Sequence, residues 1–266
     1  MKSDWGGVKN IIIDVKFYAF ILWLVLIVFG VNDFSIGKMA LALFPVIYNQ
    51  YWFVLPYIVT LLLSPYINRF IKESSLLEFK WFLIILITLE IILPTLKAPT
   101  ICSNTGLFIL YYSVGVLIKT ERLPLKLNNF TRIFMVCVGI LPLIMIVVNE
   151  MIFAQKGYSI ISFDSKWWRF SPFPLVSSIG LFSIFSSFNM SSSIVNILAK
   201  SVFAVYLISE NPNVYNWLWK IDCLDNITYI ESPFFILISL FQCLSIMAIC
   251  ILIDMCYRKL RTMVHV

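Results

Sequence analysis

The chain has 266 residues, of which 61% are hydrophobic, 16% aromatic and only 13% charged, with a formal net charge of +6. Soluble domains average about 25% charged residues, so a mean hydropathy of +0.92 excludes an ordinary soluble globule and equally a disordered chain. The single histidine, His265, nearly removes imidazole-based metal sites and imidazole general bases.

These numbers predict an all-α, polytopic integral membrane protein with little mass outside the bilayer. A crossing takes about 20 apolar residues, and eight segments qualify: 11–31, 50–68, 80–96, 104–118, 132–154, 171–189, 194–210 and 233–257. Segment 104–118 is short, and 194–210 carries Lys200 and Glu210. The long unbroken apolar runs lack the alternation of a membrane barrel. No repeat, Gly/Ser-rich linker or long connection divides the chain, so 1–266 reads as a single membrane domain. The first run exceeds a signal-peptide core and no small-x-small site follows it, which predicts a retained first helix.

Lysine and arginine counts set the orientation. With the N-terminus inside, the inner segments hold twelve basic residues and the outer ones six. Both termini are therefore expected in the cytoplasm, in line with an even number of crossings. The positive charge is first a topology signal; no contiguous basic face with interleaved aromatics suggests nucleic acid as a partner. Trp52, Trp167, Trp168, Trp217, Trp219, Tyr48, Tyr51 and Tyr215 fall at the outer boundary. They read either as an interfacial belt or as a platform on which sugar rings stack.

Carboxylates within apolar segments are functional candidates. Glu90 lies in LITLEIILPT with no basic residue one turn away, Glu150 follows Asn149, and Glu210 ends YLISENP. Asp254 and Arg258, spaced i,i+4, predict a local ion pair, and Asp14 with Lys16 marks an amphipathic entry to the first helix. Cys137, Cys243 and Cys250 read as small apolar residues, whereas Cys102 and Cys223 both map outside, where a disulfide is an open alternative. The sequence has no Gly-rich phosphate loop, HExxH or G-x-S-x-G, and no metal-ligand cluster.

Two stretches carry a resemblance. One is Tyr51-Trp52-Phe53 continuing as VLPYIVTLLLSPYINRFI; the other is SPFPLVSSIGLFSIF from Ser171, followed by Ile194-Val195-Asn196 and AKSVFAVYLISENPNVYNWLW. In order and spacing, from about residue 10 to 258, the chain resembles bacterial membrane acyltransferase family 3, which includes O-acetyltransferases of capsule, lipopolysaccharide and exopolysaccharide. The resemblance implies an O-acyltransferase of the bacterial inner membrane. Acetyl-CoA would be its co-substrate, with no bound cofactor, and the acceptor a surface polysaccharide or lipid-linked sugar met among membrane lipids.

Family members usually have ten helices, so eight here imply a chain that starts at the third family helix, without the histidine that serves as base. Ser209 also stands where members often have histidine. A serine hydroxyl does not take a proton from a sugar hydroxyl near neutral pH, so Glu90, Glu150 and Glu210 become the candidate substitutes. The resemblance places the acceptor near Tyr51, Trp52, Asn211 and Trp217, and the CoA phosphates near Arg69, Lys72, Lys119 and Arg122. Two other readings share the same helices: a catalytically inactive or truncated paralogue, and a component of polysaccharide transport or polymerisation.

Overall fold

The computed structural model describes residues 5–96, 104–120, 127–161, 165–188, 191–219, 221, 224, 229 and 232–264. Among them secondary structure is helical throughout, with no strand. Helix occurs in each of the eight apolar segments, but among the described residues length and apolarity together mark four helices, not eight, as able to cross a membrane: Trp5–Val28, Val54–Glu73, Asn129–Phe153 and Phe235–Met263. A fifth is added if Ser193–Ser209 and Pro212–Leu218, bent by 79° at a short break, form one span. Asn104–Lys119 and Pro172–Phe185 are apolar but shorter.

The chain divides into two compact units, one built mainly from Leu55–Met190 and the other from Gly6–Val54 with Ser191–Val266. The first contains α3 (Val54–Glu73), α4 (Leu76–Ile87), a π turn (Thr88–Ile92) and α5 (Leu93–Thr95), then α6 (Asn104–Lys119), α7 (Asn129–Lys156), α8 (Ser165–Arg169) and α9 (Pro172–Phe185). The second contains α1 (Trp5–Val28), α2 (Ile36–Leu43), α10 (Ser193–Ala199), α11 (Val202–Ser209), α12 (Pro212–Leu218) and α13 (Phe235–Val264).

Local sequence explains where the helices of the first unit start and stop. A capping box opens α4: the Glu78 N–H donates to Ser75 Oγ at 3.2 Å, and the Ser75 N–H donates back to Glu78 Oε2 at 2.7 Å. That backbone donor holds the exposed Glu78 carboxyl below the usual carboxylate range. Asn128 caps α7 by accepting from the Thr131 N–H, and Gly157 ends the same helix at φ +74°, a left-handed conformation that suits glycine.

Ile91, Leu107, Leu110 and Leu175 form one apolar cluster of this unit, and Ile71, Phe79 and Leu117 another. α7 and α9 pack without room for side chains at their crossing. A Cβ on Gly139 would overlap Ser177 Cβ and lie 2.5 Å from the Phe173 carbonyl oxygen, and one on Gly180 would lie 2.9 Å from the Arg132 carbonyl oxygen. Such close backbone approach is how membrane helices gain packing energy where lipid removes the hydrophobic drive.

Candidate functional site

The feature that sets Glu90 apart begins with Pro94. Proline has no N–H to offer the carbonyls one turn back, and just ahead of it the helix loosens into the π turn, where the Leu93 N–H reaches the Thr88 carbonyl five residues earlier. A single π turn inserts one residue into the helical register and re-aims the side chains around it; such turns are frequent at functional sites. Glu90 lies in this turn and is only 2% exposed. Its carboxylate sits against Gly106 in the first turn of α6: a Cβ there would overlap both Oε1 and Cδ of Glu90. First-turn amides have no intrahelical acceptor, and the helix dipole is positive at that end. The notch therefore accommodates the carboxylate where it lies, and a Cβ at 106 would displace it.

Beside the π turn, Ile87, Ile91, Ile92, Thr95, Leu175 and Val176 line an apolar groove of about 210 Å³. Thr95 spends its hydroxyl on the Ile91 carbonyl at 2.6 Å, so the groove offers hydrocarbon contact. The neighbouring indoles are committed as well. Trp167 Nε1 donates to the Thr95 carbonyl and Trp168 Nε1 to the Gly139 carbonyl, each at 3.2 Å.

In the second unit, a polar node forms where α11 breaks into α12. Pro212 lacks an N–H, and the Asn211 N–H turns to the Ile208 carbonyl at 3.4 Å, which strands the Leu207 carbonyl. The Tyr51 hydroxyl donates to that carbonyl at 3.1 Å, and Asn211 Nδ2 donates to the Tyr51 oxygen at 2.9 Å. Asn211 Oδ1 meanwhile caps α12 by accepting from the Asn213 N–H. Tyr51 is 2% exposed and Asn211 fully buried. The two acceptor candidates are thus brought together, as a brace within the unit. Trp52 lies half-buried and edge-on to Phe53, and Trp217 is exposed.

A second polar cluster of this unit was legible in sequence only in its local pair. Asp254 and Arg258 form the expected i,i+4 pair at 2.7 Å. Tyr18 of α1 also donates to Asp254 Oδ1 at 2.7 Å, and Arg258 donates to Ser201 at the α10–α11 break. Asp14, read from sequence as a surface entry, pairs with Arg261 at 3.2 Å. Phe17 stacks on Tyr257 at 4.0 Å between centroids. Together these contacts tie α1 and α13 to the start of α11. The one signal that could have suggested them is the presence of two acids on α1 and α13 with two arginines one turn apart.

The remaining candidates are dispersed. Glu150 and Glu210 are exposed, whereas their neighbours Asn149 and Asn211 are buried. Arg69 pairs with Glu73 at 2.9 Å on the surface, and Lys72 and Lys119 are exposed. Arg122, Cys102, Cys223 and His265 lie outside the described residues.

A family model described as an acyltransferase domain, that of acyltransferase family 3, matches residues 5–255. The chain belongs to acyltransferase family 3. No curated protein and no solved structure matches it. Membership of family 3 supports a membrane acyltransferase, and the apolar helices fit a multi-pass protein. The match reaches from α1 into α13 and so takes in both units, with the Glu90 notch and the Tyr51–Asn211 brace inside it.

Proposed function

We propose that this family 3 chain transfers an acetyl group from acetyl-CoA to a hydroxyl of a surface polysaccharide or its lipid-linked precursor in the bacterial inner membrane. The observation that carries the reading is the acyltransferase match over residues 5–255. In the reaction, the acceptor O–H gives its proton to a base, its oxygen attacks the thioester carbonyl carbon, and the C–S bond breaks. The thiolate leaves as CoA and takes up the proton, so the products are the O-acetyl ester and CoA-SH. A base is needed because a sugar hydroxyl is a poor nucleophile while protonated. Glu90, Glu150 and Glu210 are the candidates for that role.

Eight crossings with both termini cytoplasmic would put Arg69, Lys72, Lys119 and Arg122 on the donor side, where CoA phosphates arrive. Tyr51, Trp52, Asn211 and Trp217 would then lie towards the acceptor. The twelve-to-six distribution of basic residues supports that topology.

Deleting the gene and recording proton NMR spectra of the purified surface polysaccharide tests the reading. The O-acetyl signal is expected to vanish and to return on complementation. An unchanged acetyl signal overturns the proposal, in favour of an inactive paralogue or a transport component.

A further inference from the structure

We propose that Gly106 is a positioning residue for acyl transfer, because the notch it leaves in α6 sets the Glu90 carboxylate as the group that takes the acceptor's proton. This rests on the acyl-transfer reading above and narrows it from three glutamates to one.

Two independent backbone features converge on the same carboxylate. The π turn is an interruption of an otherwise regular helix, and it places Glu90 where it is 2% exposed. Across from it, α6 carries glycine at the one place where a Cβ would collide with both Oε1 and Cδ of that side chain. Glycine is the least favourable helix residue after proline, so its presence in a first turn packed on a carboxylate has a steric reason. Gly115, about two and a half turns along the same helix, has nothing within 4 Å of the place a Cβ would take; Gly106 is the one that answers to Glu90.

The surroundings suit the task. Ile91 follows Glu90, Leu107 follows Gly106, and both belong to the apolar cluster with Leu110 and Leu175. These side chains exclude water on the flanks and strengthen electrostatic effects at the carboxylate. Glu150 and Glu210, in contrast, are exposed.

In the step assigned to Glu90, a carboxylate oxygen accepts the proton as the acceptor O–H bond breaks and the oxygen bonds to the thioester carbonyl carbon. The C–S bond then breaks, and the proton passes from Glu90 to the departing thiolate. Glu90 ends as it began. A displaced carboxylate would lose rate rather than donor affinity, since misplacement by about 1 Å suffices for large losses in such steps.

The test measures transfer of labelled acetyl from acetyl-CoA to surface polysaccharide extracted from cells lacking the gene, using the full chain in native membranes. Gly106→Ala is expected to lower kcat about tenfold or more with the KM for acetyl-CoA nearly unchanged, and Gly115→Ala to leave both alone. Glu90→Asp shortens the side chain by one methylene and removes the collision. The double variant Gly106→Ala/Glu90→Asp should therefore be several-fold more active than Gly106→Ala, by about the same principle of alignment. Glu90→Gln, equal in size, should abolish most transfer, and the residual rate should lose the acid limb of the pH profile.

Wild-type rates in Gly106→Ala, or a loss that Glu90→Asp does not relieve, overturn the positioning role. Full activity with an unaltered pH profile in Glu90→Gln overturns it too, and this arm stands even where Gly106→Ala fails to fold. A wild-type chain that transfers no acetyl sinks the acyl-transfer reading itself, a result distinct from any ranking among variants.

Discussion

Asn211 donates its side-chain amide to the Tyr51 hydroxyl at 2.9 Å, and that hydroxyl in turn donates to the Leu207 carbonyl. The pair repairs the hydrogen-bonding gap that Pro212 opens between α11 and α12. An aromatic residue that sequence offers as a stacking surface is here a buried donor and acceptor. Its ring also lies 6.0 Å from that of Tyr206, whose hydroxyl accepts from the Phe53 N–H. The break at Asn211 is therefore a fixed corner.

Tyr51→Phe keeps the ring and removes both hydrogen bonds. The Leu207 carbonyl and the Asn211 amide are left buried without them, which costs about 1–3 kcal/mol. Thermal unfolding of the detergent-solubilised protein should show a lower midpoint for this variant. Trp217→Ala, at an exposed position, should shift stability by no more than about 0.5 kcal/mol. If Trp217→Ala nevertheless removes acetylation, that indole belongs to the acceptor's path; equal melting of Tyr51→Phe and wild type would refute the brace.

Asn149 does for a loop what Asn211 does for a helix break. Its Oδ1 accepts from the Ile160 and Ile161 N–H groups at 2.7 and 2.9 Å, and its amide donates to Ser159 Oγ. Asn149→Ala should free the two backbone amides, so hydrogen exchange at Ile160 and Ile161 is expected to speed up by about the factor that 1–3 kcal/mol of lost protection allows. Glu150→Gln, next in sequence but exposed, should leave that exchange as it was.

The apolar run lengths made the helices legible, and the i,i+4 rule made the Asp254–Arg258 pair legible, because both depend on local spacing alone. Tyr18 and Asp254 are 236 positions apart, and no local pattern connects them. The π turn was hidden for a different reason: Pro94 signals a disturbed helix but not whether it kinks, ends or takes in an extra residue. Gly106 has the same letter as Gly115, and only the approach of Glu90 from another helix distinguishes them. Sequence offers Tyr51 as an acceptor-binding residue and the structure shows it bonded to the Leu207 carbonyl and Asn211, because composition cannot say whether an aromatic residue faces a sugar or a stranded carbonyl.

The α7–α9 crossing gives a packing prediction. A methyl at Gly139 would overlap Ser177 Cβ and press on the Phe173 carbonyl, so Gly139→Ala must force the helices apart, at about 1–3 kcal/mol. Gly180→Ala meets Val136 Cγ2 at 3.0 Å and the Arg132 carbonyl at 2.9 Å and should be milder, since one of those atoms ends a side chain. Gly115→Ala meets nothing and should be neutral or stabilising by up to about 1 kcal/mol. The expected order of unfolding midpoints is Gly115→Ala highest, then Gly180→Ala, then Gly139→Ala; any other order contradicts the close approach.

The two ion pairs between acids and the arginines of α13 should differ sharply in worth. The Asp254 side chain is 7% exposed and its partner Arg258 34%, whereas in the Asp14–Arg261 pair both side chains are about a third exposed or more, at 32% and 39%. Exposed pairs contribute about 0–1 kcal/mol, while removing one partner of a buried pair costs about 3–5 kcal/mol because the other charge is left uncompensated. The partial exposure of Arg258 puts Asp254→Ala towards the lower part of that range. Asp254→Ala also strands the Tyr18 hydroxyl, which is part of the loss, and Tyr18→Phe alone should cost about 1 kcal/mol. Asp14→Ala should be nearly silent. Unfolding midpoints measured at low and high salt separate the cases, because screening weakens the exposed pair much more than the buried one. An Asp14→Ala variant as unstable as Asp254→Ala would mean that the ends of α1 and α13 are held by the outer pair and not by the buried one.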